Sequence, residues 1–121
     1  MIKEEKRIKI LKEIDPNFSD WEGLYLPVRF DMNQIIRKDT KERIIIKYKN
    51  VKIIIKIDIL NLIVRVYKGK RIILKGLVPI NLFFAYHKPS LMSVRELKKN
   101  AQNIRNINTE SLLQGIFAYL L

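Results

Sequence analysis

The sequence predicts an α+β fold: a four- to five-stranded antiparallel β-meander with one face covered by two C-terminal helices, plus an N-terminal helix. Three observations predict it. Residues 43–76 (RIIIKYKNVKIIIKIDILNLIVRVYKGKRIILKG) alternate apolar and basic side chains with the two-residue period of a half-buried strand. Turn-forming groups of two or three residues interrupt that stretch. Residues 93–121 carry two helix-capping patterns instead, each followed by apolar residues at helical spacing.

The chain opens on an amphipathic helix over residues 2–14. Ile8, Leu11 and Ile14 recur at three-residue steps with Ile10 beside them, and Glu5 stands four residues before Lys9. Asp15-Pro16 ends it, because a residue before proline is pushed out of the helical region. PNFSDWEG (16–23) reads as a loop carrying the single tryptophan, Trp21. LYLPVRF (24–30) reads as a short strand, confined to an edge by Pro27, which has no N–H for a ladder. Asp31 and Gln34 then form a capping pair for one short helix, DMNQIIRK.

In the meander, Lys49-Asn50 and Leu60-Asn61 are expected as two-residue turns. Tyr67-Lys68-Gly69 is expected as a three-residue loop with glycine in the left-handed position. Strands then fall near 43–48, 51–59, 62–66 and 70–76. One side collects Ile44, Ile46, Tyr48, Val51, Ile53, Ile55, Ile57, Ile59, Leu62, Val64, Val66, Ile72 and Leu74, with Lys70 at a strand end. The other side would align Arg43, Lys56, Arg65 and Arg71 in one row across four strands, with Lys47 facing Lys52 and Lys75 further along. Ile45 would oppose Ile54, and Ile63 would oppose Ile73.

After the meander, LVPINLFFAYHKPS (77–90) holds a fifth strand or a turn of helix. Ser93 and Glu96 make a capping box for a helix over about 93–105, with Val94, Leu97, Ala101 and Ile104 on one face. Thr109 is expected to cap a last helix, ESLLQGIFAYLL (to 121), with Glu110 in its first turn. That helix is apolar nearly all round, so it is either central or meets another subunit. No repeat, linker or domain boundary interrupts the chain, and residues 1–121 read as one domain.

Charge points towards function. The chain carries 24 Lys and Arg against 12 Asp and Glu, a net charge of +12. Residues 1–42 hold nine basic and nine acidic side chains, whereas residues 43–76 hold ten basic ones and only Asp58. The excess is thus concentrated in the sheet, as expected of an electrostatic footprint for an anionic partner. Like charges opposed across strands destabilise a sheet by up to about 1 kcal/mol per pair. A cationic row with no internal acid therefore suggests an external one. Nucleic acid, RNA or DNA, is the favoured partner. It would be held by Arg43, Lys47, Lys52, Lys56, Arg65, Arg71 and Lys75 through phosphate-backbone contacts rather than base readout, since this arrangement places Tyr67 only at a loop.

Two other readings suit the same face. It could simply be solvated, keeping an isoleucine-rich chain soluble. It could also dock on an acidic surface of a nucleoprotein complex, as would a protein-binding module of a virus or mobile element. A homodimer through the apolar C-terminal helix or the isoleucine rows is a further, structural alternative. Abundant Ile, Lys and Asn suit an AT-rich genome, and Ile with Lys suits a thermophile.

Chemistry finds little support. Cysteine is absent, which excludes disulfides, Cys-ligated metals and Cys nucleophiles and leans towards a reducing compartment. The one histidine, His87, cannot build a two-histidine metal motif alone. Neither Asp15, Asp20 and Glu22 nor Asp31, Asp39 and Glu42 read as more than helix ends and solvated loops. The four glycines are isolated, so no phosphate-cradling loop is present. A non-enzymatic protein with no catalytic residues, metal or cofactor is expected; the enzymatic alternative is a metal-free RNase using Lys, Arg, Tyr and His87. Trp21 and Tyr25 are either a partner-binding patch or one end of the core. The charged N-terminus lacks a signal-peptide core, and no apolar stretch approaches the roughly 18–20 residues needed to span a bilayer. A cytoplasmic protein without membrane contact is the expectation.

Overall fold

The computed structural model describes residues 3–16, 30–84 and 93–121. Helix α1 (Glu4–Ile14) puts Glu4 and Glu5 in its first turn, where the helix dipole favours carboxylates. It stops at Asp15, whose N–H donates to the Leu11 carbonyl at 2.8 Å, immediately before Pro16. Ile10, Leu11 and Ile14 form its buried stripe. Residues 24–29 of the strand expected at 24–30, together with Trp21, Tyr25 and His87, lie outside the described residues, and Phe30 is not in a strand.

Five strands follow in chain order: β1 (Ile35–Asp39), β2 (Arg43–Tyr48), β3 (Val51–Ile57), β4 (Asn61–Lys68) and β5 (Arg71–Pro79). Each pairs antiparallel with the next, so the sheet is an open meander. The fifth strand precedes the basic stretch. The short helix expected over 31–38 is instead a single 3₁₀ turn (Met32–Gln34) leading into β1. Asp31 does cap that turn, accepting from the Asn33 N–H at 3.1 Å and the Gln34 side-chain amide at 3.0 Å. Ile35 and Ile36 then prefer extended backbone, and β2 offers them a ladder from Ile35–Tyr48 to Asp39–Ile44.

The Lys49-Asn50 turn is present between paired Tyr48 and Val51, with Lys49 in the left-handed region (φ 53°) and its ammonium 5.3 Å from the Tyr48 ring centre. The other two turns differ from expectation. The second is centred on Ile59-Leu60, because Asp58 and Asn61 take its outer positions. The Asp58 N–H donates to the Asn61 carbonyl at 2.9 Å, and the Asp58 carboxylate accepts from the Ile59 N–H at 2.7 Å. Moving a turn by one residue moves the register by two, so side chains change partners but keep their faces. The third is a two-residue turn, Gly69-Lys70, between paired Lys68 and Arg71, with Gly69 left-handed at φ 63°.

A bulge accompanies that last hairpin. Val66 pairs with Leu74 but Tyr67 pairs with Ile72, leaving Ile73 as the extra residue on β5. Residues before the bulge are therefore turned over. Ile72 is 46% exposed instead of buried, and Arg71 lies on the helix side of the sheet. Ile59, also expected in the core, sits instead in the second turn outside it; of the others Ile44, Ile46, Tyr48, Val51, Ile53, Ile55, Leu62, Val64, Val66 and Leu74 are buried, and Ile57 packs against them.

Past Pro79 a 3₁₀ turn (Ile80–Phe83) buries Ile80. Helix α2 (Val94–Asn103) opens on the expected capping box. Ser93 Oγ accepts from the Glu96 N–H at 3.2 Å and donates to the Glu96 carboxylate at 3.1 Å. A 3₁₀ turn (Ile104–Asn106) connects it to α3 (Thr109–Leu120). Asn108, not Thr109, caps α3, accepting from the Ser111 N–H at 2.8 Å. Leu112, Leu113, Ile116 and Phe117 of α3 are fully buried with the α1 stripe and the sheet in one core, while α2 reaches that core at its margin through Ala101 and the following Ile104. The nearly all-apolar α3 is thus the central one of the C-terminal helices. It lies close on β5 at Gly76, where an added Cβ would run into the Leu120 side chain. Phe30 packs edge-on against Tyr48 and also touches the Phe117 ring, closing one end of the core.

Arg37 ties the edge strand to the helical layer. Its guanidinium donates to the carbonyls of Ile107 (2.9 Å) and Arg105 (3.1 Å) and to Thr109 Oγ1 (3.2 Å), and pairs with Asp39 at 2.9 Å. Arg105 answers with a hydrogen bond to the Lys41 carbonyl. Arg37 is mostly buried, so its loss strands carbonyls that the helix ends cannot satisfy. Replacing Arg37 with Ala should lower unfolding stability by about 2 kcal/mol, measured by urea denaturation.

Candidate nucleic-acid interface

Period-two alternation sends every second residue of the meander away from the helices. On β1 these residues are Ile36 and Lys38, on β2 Arg43, Ile45 and Lys47, and on β3 Lys52, Ile54 and Lys56. On β4 they are Ile63, Arg65 and Tyr67, and on β5 Ile72, Lys75 and Leu77, with Asn61 and Pro79 paired beyond them at the strand ends. The pairings arrange them in three rows: Lys38, Ile45, Ile54, Arg65 and Lys75 in the middle; Ile36, Lys47, Lys52, Tyr67 and Ile72 on one side; Arg43, Lys56, Ile63 and Leu77 on the other.

This differs from the single cationic row. Arg43 does oppose Lys56 and Lys47 does oppose Lys52, but Arg65 opposes Lys75, and Lys56 faces Ile63. Arg71 leaves the face altogether, and the expected Ile63–Ile73 pair is replaced by Ile63–Leu77. The result is a checkerboard. On β2 and β3 a cation pair, an isoleucine pair and a second cation pair follow one another. On β4 and β5 the order is apolar pair, cation pair, apolar pair. Each cation pair is therefore bordered by hydrocarbon along and across the strands, which confines like-charge repulsion largely to the partners within a pair.

Lys38, Arg43, Lys47, Lys52, Lys56, Arg65 and Lys75 are all exposed. None has an ion pair or side-chain hydrogen bond among the described residues, and none of the outward strand positions carries an acid. Asp58, the one acid of the basic stretch, is engaged in its own turn. Where β2, β3 and β4 meet, the face dips into a shallow depression of about 250 Å³ lined by Arg43, Ile54, Lys56, Ile63, Arg65 and Tyr67. The arrangement can hold anions. Among the described residues, no group of three or more His, Asp or Glu could hold a metal ion, and no helix is long and apolar enough to cross a membrane.

Two polar residues of this face are hard to see in the sequence. The Lys38 segment resembles a capped helix, and the adjacent β-branched pair Ile35-Ile36 is the signal for a strand. Tyr67 reads as a loop residue if Gly69 is taken as the last residue of the turn, whereas Gly69 is the first. A smaller basic surface lies on α2, where Arg95, Lys98 and Lys99 are exposed beside Val94 and Gln102. No protein-family model, curated protein or solved structure matches the chain.

Arg71 has a structural partner in place of a phosphate. Its guanidinium donates to both carboxylate oxygens of Glu13 on α1, at 2.7 and 3.3 Å. That hydrogen bond holds the Glu13 carboxyl below its usual range; partial burial opposes the shift, and the charges of Arg71, Lys68 and Lys9 assist it. A carboxyl whose folded pKa is lowered contributes stability above its unfolded pKa and loses it as pH falls through the folded value. Replacing Glu13 with Gln should therefore destabilise the protein by a constant amount above about pH 5. The difference from wild type should shrink in more acidic buffer, as read by thermal unfolding across a pH series.

Proposed function

We propose that this chain is a small, non-enzymatic nucleic-acid-binding protein whose open sheet face holds the phosphate backbone. The observation that carries the reading is the outward face itself: seven exposed cations, six of them in three directly opposed like-charge pairs, with no acid among them. Solvation alone would be served as well by mixed signs, which stabilise cross-strand pairs instead of straining them. An anionic polymer relieves all three pairs at once and releases condensed counterions as it docks. The isoleucines between the pairs supply dry contact for sugar surfaces.

Salt dependence tests this directly. With all seven cations engaged on a single strand, log affinity should fall against log salt with a slope of about −5. If neither RNA nor DNA binds at low salt, or if binding is unchanged when Lys56, Arg65 and Lys75 are replaced by Glu, the reading is wrong.

The like-charge pairs add a second expectation in which stability and binding move oppositely. Replacing Lys52 with Glu creates an opposite-charge pair with Lys47. It should raise unfolding stability by a few tenths to about 1 kcal/mol, while weakening nucleic-acid binding in the same buffer. Paired urea melts and fluorescence-anisotropy titrations check both directions.

A further inference from the structure

Resting on that proposal, we infer that the face is built for a single strand, with one unstacked base seated in the depression against Tyr67. A backbone-only surface would need cations but no concavity. Here Arg43, Lys56 and Arg65 surround an apolar floor of Ile54 and Ile63, and Tyr67 closes one side. Tyr67 stands within β4, opposite Lys52 on one neighbour and Ile72 on the other, beside the bulge, so its strand position puts its ring on the face. Base–aromatic stacking is the contact that single-strand binders add to a cationic groove.

Size and charge narrow the ligand. At about 250 Å³ the depression falls short of the roughly 300–1,000 Å³ typical of sites that enclose a whole drug-sized molecule or cofactor. It suits one planar ring whose phosphates remain on the rim. Three cations around a hydrocarbon floor match a nucleotide, anionic outside and apolar on its base face. A duplex cannot make this contact. Its base faces are occupied by stacking, and an open sheet face presents nothing narrow enough to unstack them at no cost. A single strand offers base faces and phosphates together.

The lining of the depression offers no hydrogen-bonding side chain apart from its cations and the Tyr67 hydroxyl, so the seat accepts bases with little sequence preference. Stacking on an aromatic is likewise tolerant of base identity.

The experiment compares a fluorescein-labelled oligothymidylate of about twelve nucleotides with the same oligonucleotide annealed to oligoadenylate, at matched salt. Single-strand binding should be at least about tenfold tighter than duplex binding. Tyr67→Ala should weaken single-strand binding by about tenfold, without changing the salt slope and without affecting the duplex. Tyr67→Phe should bind as wild type does, because it retains the ring. Tyr67→Ile, which keeps a strand-favouring side chain but no π-face, should behave as Tyr67→Ala does, separating stacking from any loss of folding. Equal affinity for the two forms, or wild-type affinity in Tyr67→Ile, overturns the inference. In that event, salt-sensitive binding that is still abolished by charge reversal would leave the proposed function standing. Absence of binding to either probe would remove both.

Discussion

The burial of the isoleucine side of the sheet beneath α1 and α3 is the interaction on which the rest of this protein depends. Fully burying one Ile, Leu, Val or Phe side chain is worth about 1.5–3 kcal/mol, and α1, α3 and the sheet all contribute such residues to a single core. Each opposed cation pair on the far side costs at most about 1 kcal/mol. The hydrocarbon side wins by a wide margin, so the strands keep their orientation even though three outward pairs push like charge against like. Once the inner face is committed, the outer face has no freedom to rearrange.

That constraint links stability to the proposed binding role. A sheet with one side buried has its register specified to the nearest two residues, because any odd slip would send the core into solvent. Slips of two are not policed by the core, and here the turns decide them. Asp58 and Asn61 bracket the second turn, and Gly69 leads the third. These local choices convert a row of four cations into a checkerboard of pairs. The checkerboard is the gentler electrostatic arrangement, since hydrocarbon separates one pair from the next. It also brings Tyr67 and the Ile54–Ile63 floor together with three cations in one depression.

The two strand arginines that lie off the face show how similar side chains acquire different roles. Arg37 and Lys38 are neighbours on β1, yet alternation sends one into the carbonyls around the α2–α3 connection and the other into the open. Arg71 would have shared the outer face had β5 run straight. The bulge at Ile73 turns it over to Glu13, so it fastens α1 to the sheet edge instead. The surface cations that remain have no such internal work, and this separation gives the proposed interface its definition.

Much of this was legible in the chain itself. The alternation over 43–76 determined the meander, the identity of both faces and nearly all of the sheet's core. The Ser93–Glu96 capping box determined where α2 begins, and Pro16 where α1 ends. These features are local or strictly periodic, and a sequence records such features directly. What the tertiary structure decided were the facts that depend on a neighbour. Whether Ile35–Asp39 is helix or strand turned on the free edge of β2. The bulge at Ile73 turned on how β5 meets both β4 and α1, and with it the exposure of Ile72 and the partner of Arg71. The cation that pairs with Arg65 turned on the third turn and the bulge together. Alternation fixes a side chain's face because it follows from backbone geometry alone. Its partner across the strand depends on register, which only the assembled sheet settles.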